Sequence, residues 1–166
     1  MSIETDSQLD MLLSVETGTM QIIAGVDEAG RGPLAGDVIA AAVILDRHQS
    51  ISGLNDSKQL NQKTREHCYE QIVQRATAFA IARATVAEID QLNILQASLL
   101  AMQRAVTRLA RRPEHVYVDG THCPRWDYPS TALIKGDARL PCIAAASVLA
   151  KVTRDREMIE LDSEFP

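Results

Sequence analysis

Gln21-Ile22-Ile23-Ala24-Gly25-Val26-Asp27-Glu28-Ala29-Gly30-Arg31-Gly32-Pro33 is an apolar run that delivers two adjacent carboxylates into a turn of two glycines around an arginine. Its isoleucines and valine predict a short strand ending at the acids. The glycines let a backbone come close to a ligand, because no Cβ stands in the way. The next run, Val38-Ile39-Ala40-Ala41-Ala42-Val43-Ile44-Leu45, is apolar throughout instead of alternating, and reads as a neighbouring strand buried on both faces. An α/β architecture follows, with anionic oxygens at a strand end, where a metal and a phosphate or sugar fit.

The chain has 166 residues, 46% hydrophobic but only 4% aromatic, enough for one domain with a core of Ala, Val, Ile and Leu. Residues 1–20 carry Glu4, Asp6, Asp10 and Glu16 with weak periodicity, and are expected to be a leader ahead of a domain over 21–166. That leader lacks the basic start of a secretory signal, and no run approaches the length of a membrane span, so no membrane partner is expected. A net charge of −5 argues against a protein held on nucleic acid by its overall field, so a nucleic-acid partner would need a local basic face. Cys68, Cys123 and Cys142 are odd in number and lack CxxC spacing, against a disulfide framework or structural zinc and in keeping with a reducing cytoplasm.

Beyond the loop at Gly53–Lys58, Asn61 is suited to cap a helix that buries Cys68, Tyr69, Ile72, Val73 and Ala76. Thr77 to Val86 reads as a strand. Leu95, Leu99, Met102, Val106 and Leu109 then form one stripe on a second helix, closed by Arg111-Arg112-Pro113. His115-Val116-Tyr117-Val118-Asp119-Gly120 repeats the design of a β-branched run, an acid and a glycine, and Thr131 to Asp137 is read as a third instance. A last helix from about Pro141 is expected to bury Ala145, Val148, Leu149, Val152 and Ile159, with Ser147, Lys151 and Arg154 as a polar stripe on the opposite side.

Singly, each acid reads as a turn residue or a solvated charge; three repeats of one pattern favour convergence. Asp27, Glu28, Asp119 and Asp137 are hard oxygen donors suited to Mg²⁺ or Mn²⁺ and wrong for zinc, and paired ions of this kind hydrolyse phosphodiesters. Neighbours on a regular strand point to opposite faces, so Glu28 must sit at a bend or offer its backbone carbonyl. Asp127 is the replacement if the strand near Asp119 is misplaced. Lys58 and Lys135 are candidate phosphate contacts, as is the stripe begun by Ser147 and Lys151. The four histidines have no metal-ligand spacing, and no serine or cysteine stands in a nucleophile elbow.

The ordered set GVDEAGRGPLAG (25–36), LNDSKQL (54–60), VDG (118–120), KGD (135–137) and AAASVLAKVTRDRE (144–157) resembles bacterial ribonuclease HII. The resemblance implies a ribonuclease H-like fold, a mixed central β-sheet flanked by helices. It implies a Mg²⁺- or Mn²⁺-dependent endonuclease acting on RNA–DNA hybrid and on ribonucleotide-containing duplex DNA, and a cytoplasmic monomer is expected. Carried over by motif, the family's catalytic acids fall on Asp27, Glu28, Asp119 and Asp137, and its sugar-sensing loop on Gly30, Arg31 and Gly32. Cleavage 5′ to a ribonucleotide, leaving 3′-hydroxyl and 5′-phosphate ends, is implied as well. Family members continue past the equivalent of Asp162–Pro166 into a tyrosine-bearing segment and a basic tail that this sequence lacks. The competing expectation is therefore a module that binds metal or hybrid with little turnover.

Overall fold

In a computed structural model of the chain, residues 21–32, 36–54 and 60–164 are described. Five strands form one sheet: β1 (Ile23–Ala29), β2 (Val38–Ile44), β3 (Ala78–Ala84), β4 (His115–Asp119) and β5 (Ser130–Leu133), in the order β3-β2-β1-β4-β5. β1 pairs antiparallel with β2 and β2 antiparallel with β3, whereas β1–β4 and β4–β5 are parallel. The mixed sheet is flanked by α1 (Gln62–Arg75), α2 (Val86–Leu92), α3 (Ile94–Thr107) and α4 (Pro141–Glu164). None of the helices among the described residues is long and apolar enough to cross a membrane.

β2 is buried along its whole length, as its unbroken apolar run predicts. Val38, Ala40, Ala42 and Ile44 share a core with Ala97, Ala101, Met102, Ala105 and Val106 of α3. Ile39, Ala41 and Val43 face the other way, into a core with Cys68 and Ile72 of α1 and Ala145, Val148, Leu149 and Val152 of α4. One strand thus supports both helical layers. β3, at the sheet edge, alternates: Ala78, Ala80, Ala82 and Ala84 are buried, while Phe79 and Arg83 are exposed.

The helices depart from the expected stripes in informative ways. Asn61 caps α1 as anticipated, its side chain accepting from the Thr64 N–H at 2.8 Å. Inside α1, however, Val73 is exposed and Gln71 is buried, because Gln71 Oε1 accepts from Ser52 N and its Nε2 donates to Ser52 O, at 3.1 and 3.2 Å. The second helical segment is broken at Asn93, whose φ of 84° ends α2 while its side chain caps α3 by accepting from Gln96 N at 2.9 Å. α3 stops at Thr107, short of Arg111–Pro113, and Leu95 and Leu99 are only half-buried. Small residues take the contact face instead, since alanine against alanine lets helix and sheet approach closely. In α4, Ile159 is 62% exposed and Arg154 is buried, the reverse of the expected stripe for both.

The tightest contact is between α4 and β1. A Cβ built on Gly25 would overlap the Cys142 carbonyl carbon and the Ile143 nitrogen, and would stand 2.5 Å from the Cys142 oxygen. These are backbone atoms, which cannot rotate away. Gly25→Ala is therefore expected to cost on the order of 3 kcal/mol of stability through overpacking, read as a lower urea midpoint. An unchanged midpoint would mean that α4 can lift from the sheet at no cost.

Candidate active site

The parallel register of β1 and β4 sets Val26 beside Val118, so the next residues, Asp27 and Asp119, stand side by side at the ends of adjacent strands. β5 runs parallel to β4 with Asp119 beside Leu133, and Gly120 N–H donates to Leu133 O at 2.9 Å. The chain then passes through Lys135, in the left-handed region at φ 55°, into a short 3₁₀ turn, Gly136–Ala138. Gly136 N–H donates to Asp119 Oδ1 at 2.7 Å, tying the turn that carries Asp137 to the acid on β4. Asp137 is 3% exposed. Its setting corrects the expected third repeat: β5 ends at Leu133, the glycine precedes the acid, and the acid sits on a turn instead of a strand end.

No bend interrupts β1 at Glu28, since its ladder with β2 continues through Ala29 opposite Ile39. Asp27 is 6% exposed, and its Oδ1 accepts from Glu28 N–H at 2.8 Å. Glu28 Oε1 accepts from Arg31 Nη1 at 3.3 Å, while Glu28 Oε2 is buried with no hydrogen-bond partner among the described residues. Burial pushes the Asp27 carboxyl well above the ordinary carboxylate range, and the negative charges of Glu28 and Asp119 push it the same way. Burial also raises Glu28, opposed by its interaction with the Asp27 side chain and by the positive charge of Arg31. Three acids are thus close enough to repel one another. Among the described residues, no set of three or more acidic, histidine or cysteine side chains closes into a ready-made metal cage.

The glycine turn is asymmetric. Gly30 has φ 101° and is packed from below by Arg154 and the Asp37 carbonyl, whereas no described atom would lie within 4 Å of a Cβ at Gly32. Arg31 and Gly32 are exposed, as is Lys135. On α4, Ser147 is half-buried and Lys151 is exposed, with its Nζ donating to Asp155 at 3.0 Å. Lys58 and the leader over 1–20 lie outside the described residues. β4 ends at Asp119, and Asp127 is exposed in a loop, which leaves it no part in the cluster. A cavity of about 260 Å³ beside Asp137 is lined by Leu54, Arg139, Leu140 and Ala144. The larger one, about 460 Å³ and lined by Ile22, Leu45, Arg47, Arg111 and Cys142, contains none of the four acids.

The model of the ribonuclease HII family matches residues 24–166. The chain belongs to the ribonuclease HII family. A ribonuclease HII of Coxiella burnetii is 56% identical over 151 residues, spanning 91% of this chain and 75% of the relative. The crystal structure of ribonuclease H2 from Pyrococcus horikoshii superposes with a TM-score of 0.73 at 30% identity, covering 86% of this chain and 76% of that one. Ribonuclease HII of Archaeoglobus fulgidus, solved in complex with PCNA, gives 0.74 at 28% identity over 87% and 78%. The fold is ribonuclease H-like, and ribonuclease HII enzymes are metal-dependent endoribonucleases that act on RNA–DNA hybrids.

In the folded chain the Asp27 proton is held more tightly than in the unfolded one. The protonated carboxyl favours the fold at low pH, and that advantage is lost as pH rises from the ordinary carboxylate range to the raised folded value. With chelator at neutral pH, Asp27→Asn is therefore expected to melt above the native protein, the gap closing toward about pH 4. Mg²⁺ or Mn²⁺ should then raise the native melting temperature more than the variant's. A variant that melts no higher than native at neutral pH would remove the argument from buried charge.

Proposed function

We propose that Asp27, Glu28, Asp119 and Asp137 together hold Mg²⁺ or Mn²⁺, and that the chain cuts the RNA strand of hybrids and the 5′ side of ribonucleotides embedded in duplex DNA, leaving 3′-hydroxyl and 5′-phosphate ends. The observation that carries this reading is the union of Asp27 and Asp119 on adjacent parallel strands with the Asp137 turn, through the Gly136–Asp119 hydrogen bond. The donor set fits a hard divalent cation: it is all oxygen, burial and neighbouring negative charge raise the carboxyls of Asp27 and Glu28, and Glu28 Oε2 lacks a partner among the described residues. When bound, such ions supply the Lewis acidity that activates water and stabilises the leaving oxygen.

The chain's own residues do the rest. Cation binding favours the ionised forms of Asp27 and Glu28, against the burial that raises both carboxyls. Gly30, Arg31 and Gly32 offer a backbone that a ribose can approach, and the 2′-hydroxyl is the group that distinguishes RNA from DNA there. Arg31 lies exposed beside Glu28, placed to meet the phosphate next to that sugar. Lys135, Ser147 and Lys151 hold phosphates of the duplex at a greater distance from the cut, a role also assigned to Lys58.

A second reading is binding of metal or hybrid with little turnover. One assay separates the two. Incubated with Mg²⁺ or Mn²⁺ and a duplex carrying a single ribonucleotide, the protein is expected to cut on its 5′ side, and Asp27→Asn or Asp137→Asn to lose cleavage by orders of magnitude with the fold intact. Binding without a cut in either metal would favour the second reading. Arg31→Ala is expected to reduce the preference for the ribonucleotide site more than it reduces affinity for plain duplex, measured by cleavage ratios and filter binding. Equal losses would leave Arg31 as a phosphate contact alone.

A further inference from the structure

We infer that Arg154 is a positioning residue for the Gly30–Arg31–Gly32 turn, holding it at the height above α4 from which it meets the substrate. This rests on the reading of that turn as the sugar-sensing element. Helical spacing puts Arg154 on the exposed stripe with Ser147 and Lys151, yet it is only 8% exposed, and its Nε is buried with no hydrogen-bond partner among the described residues. Arg154 lines a cavity of about 400 Å³ with Asp37, Glu157, Glu160 and Glu164, of which Asp37 and Glu157 pair with Arg83. Lys151 pairs with Asp155 at 3.0 Å, Arg156 with Glu66 at 2.5 Å, and Arg83 with both Glu157 and Asp37; no ion pair among the described residues reaches Arg154. Burying a guanidinium with no carboxylate in ion-pair contact among the described residues is costly, and an apolar side chain would fill the same volume without that cost.

What Arg154 touches is the turn. A Cβ on Gly30 would overlap Arg154 Nε and would stand 3.0 Å from its Cδ and 2.9 Å from the Asp37 carbonyl. Gly30 is therefore glycine twice over, by its φ of 101° and by the guanidinium stem lying against it. Directly after it, Arg31 reaches back to Glu28 at 3.3 Å, so the height of Gly30 sets the placing of both side chains. The guanidinium beneath the turn also adds positive potential where a polyanion approaches a cluster of carboxylates.

The test is a set of variants assayed on the single-ribonucleotide duplex. Arg154→Met keeps the stem and loses the charge, and is expected to lower kcat/KM roughly 10- to 100-fold, chiefly in kcat, as small misplacements do. Arg154→Lys should recover most of it, and both variants should keep the native response of melting temperature to Mg²⁺. Methionine performing as well as lysine would overturn the inference, because filling volume would then suffice. In the double-mutant cycle, Gly30→Ala and Arg154→Ala should be non-additive in kcat, and additive losses would overturn it too. Where Arg154→Ala does not fold, the lysine and methionine pair decides. If Arg31→Ala leaves ribonucleotide preference intact, the sugar-sensing reading falls, while the cycle still reports whether Arg154 acts through the turn.

Discussion

The backbone of α4 lies directly on β1 at Gly25, and the distances that matter to the site are set from that contact. Two and three residues along β1 stand Asp27 and Glu28. Back along the sequence from Cys142 lies Asp137, on the turn that leads into α4; forward along α4 lie Ser147, Lys151 and finally Arg154 under Gly30. The helix therefore touches the strand before the acids and again beyond them. A side chain at position 25 would move the Asp137 turn and the floor of the glycine turn together. One missing Cβ thus does for the site what several hydrogen bonds would do elsewhere, because rigid backbone faces rigid backbone.

The acids pull against this packing. Asp27 is buried beside Glu28 and Asp119, and each added negative charge makes the next harder to ionise. The fold does contribute ordering contacts of its own: Gly136 N–H to Asp119 and Glu28 N–H to Asp27 each hold one carboxylate oxygen in place. Neither contact neutralises charge. A cluster held in position but left electrically unsatisfied stores a cost that a cation relieves, which is the physical sense in which such a site is built for a ligand and not for stability.

Periodicity and turn chemistry made much of this arrangement legible in the sequence. β2 could be read as doubly buried because nothing in Val38–Ile44 is polar, and Asp27 and Asp119 could be matched because each ends a β-branched run. The sheet order that sets them side by side had no such local signal, since it depends on β4 inserting between β1 and β5. The pattern of strand, acid and glycine groups Asp137 with these acids, but the left-handed Lys135 and the Gly136 bond to Asp119 hold its turn, and no strand does. Arg154 was misplaced because helical spacing assigns a face but not what covers it. The covering element is the glycine turn, far away in sequence. The break at Asn93 was equally hidden, since asparagine in the left-handed region while capping the next helix looks in sequence like one polar residue inside a periodic run.

Gly30 and Gly32 look alike in sequence but answer to different constraints. At Gly30 the constraint is internal, from a φ closed to other residues and a guanidinium stem in the space of the missing side chain. At Gly32 neither applies: its φ is not positive, and no described atom stands within 4 Å of a Cβ there. Gly30 therefore carries the internal constraint of the turn, and Arg31, exposed between the two glycines, is the part of it that faces outward.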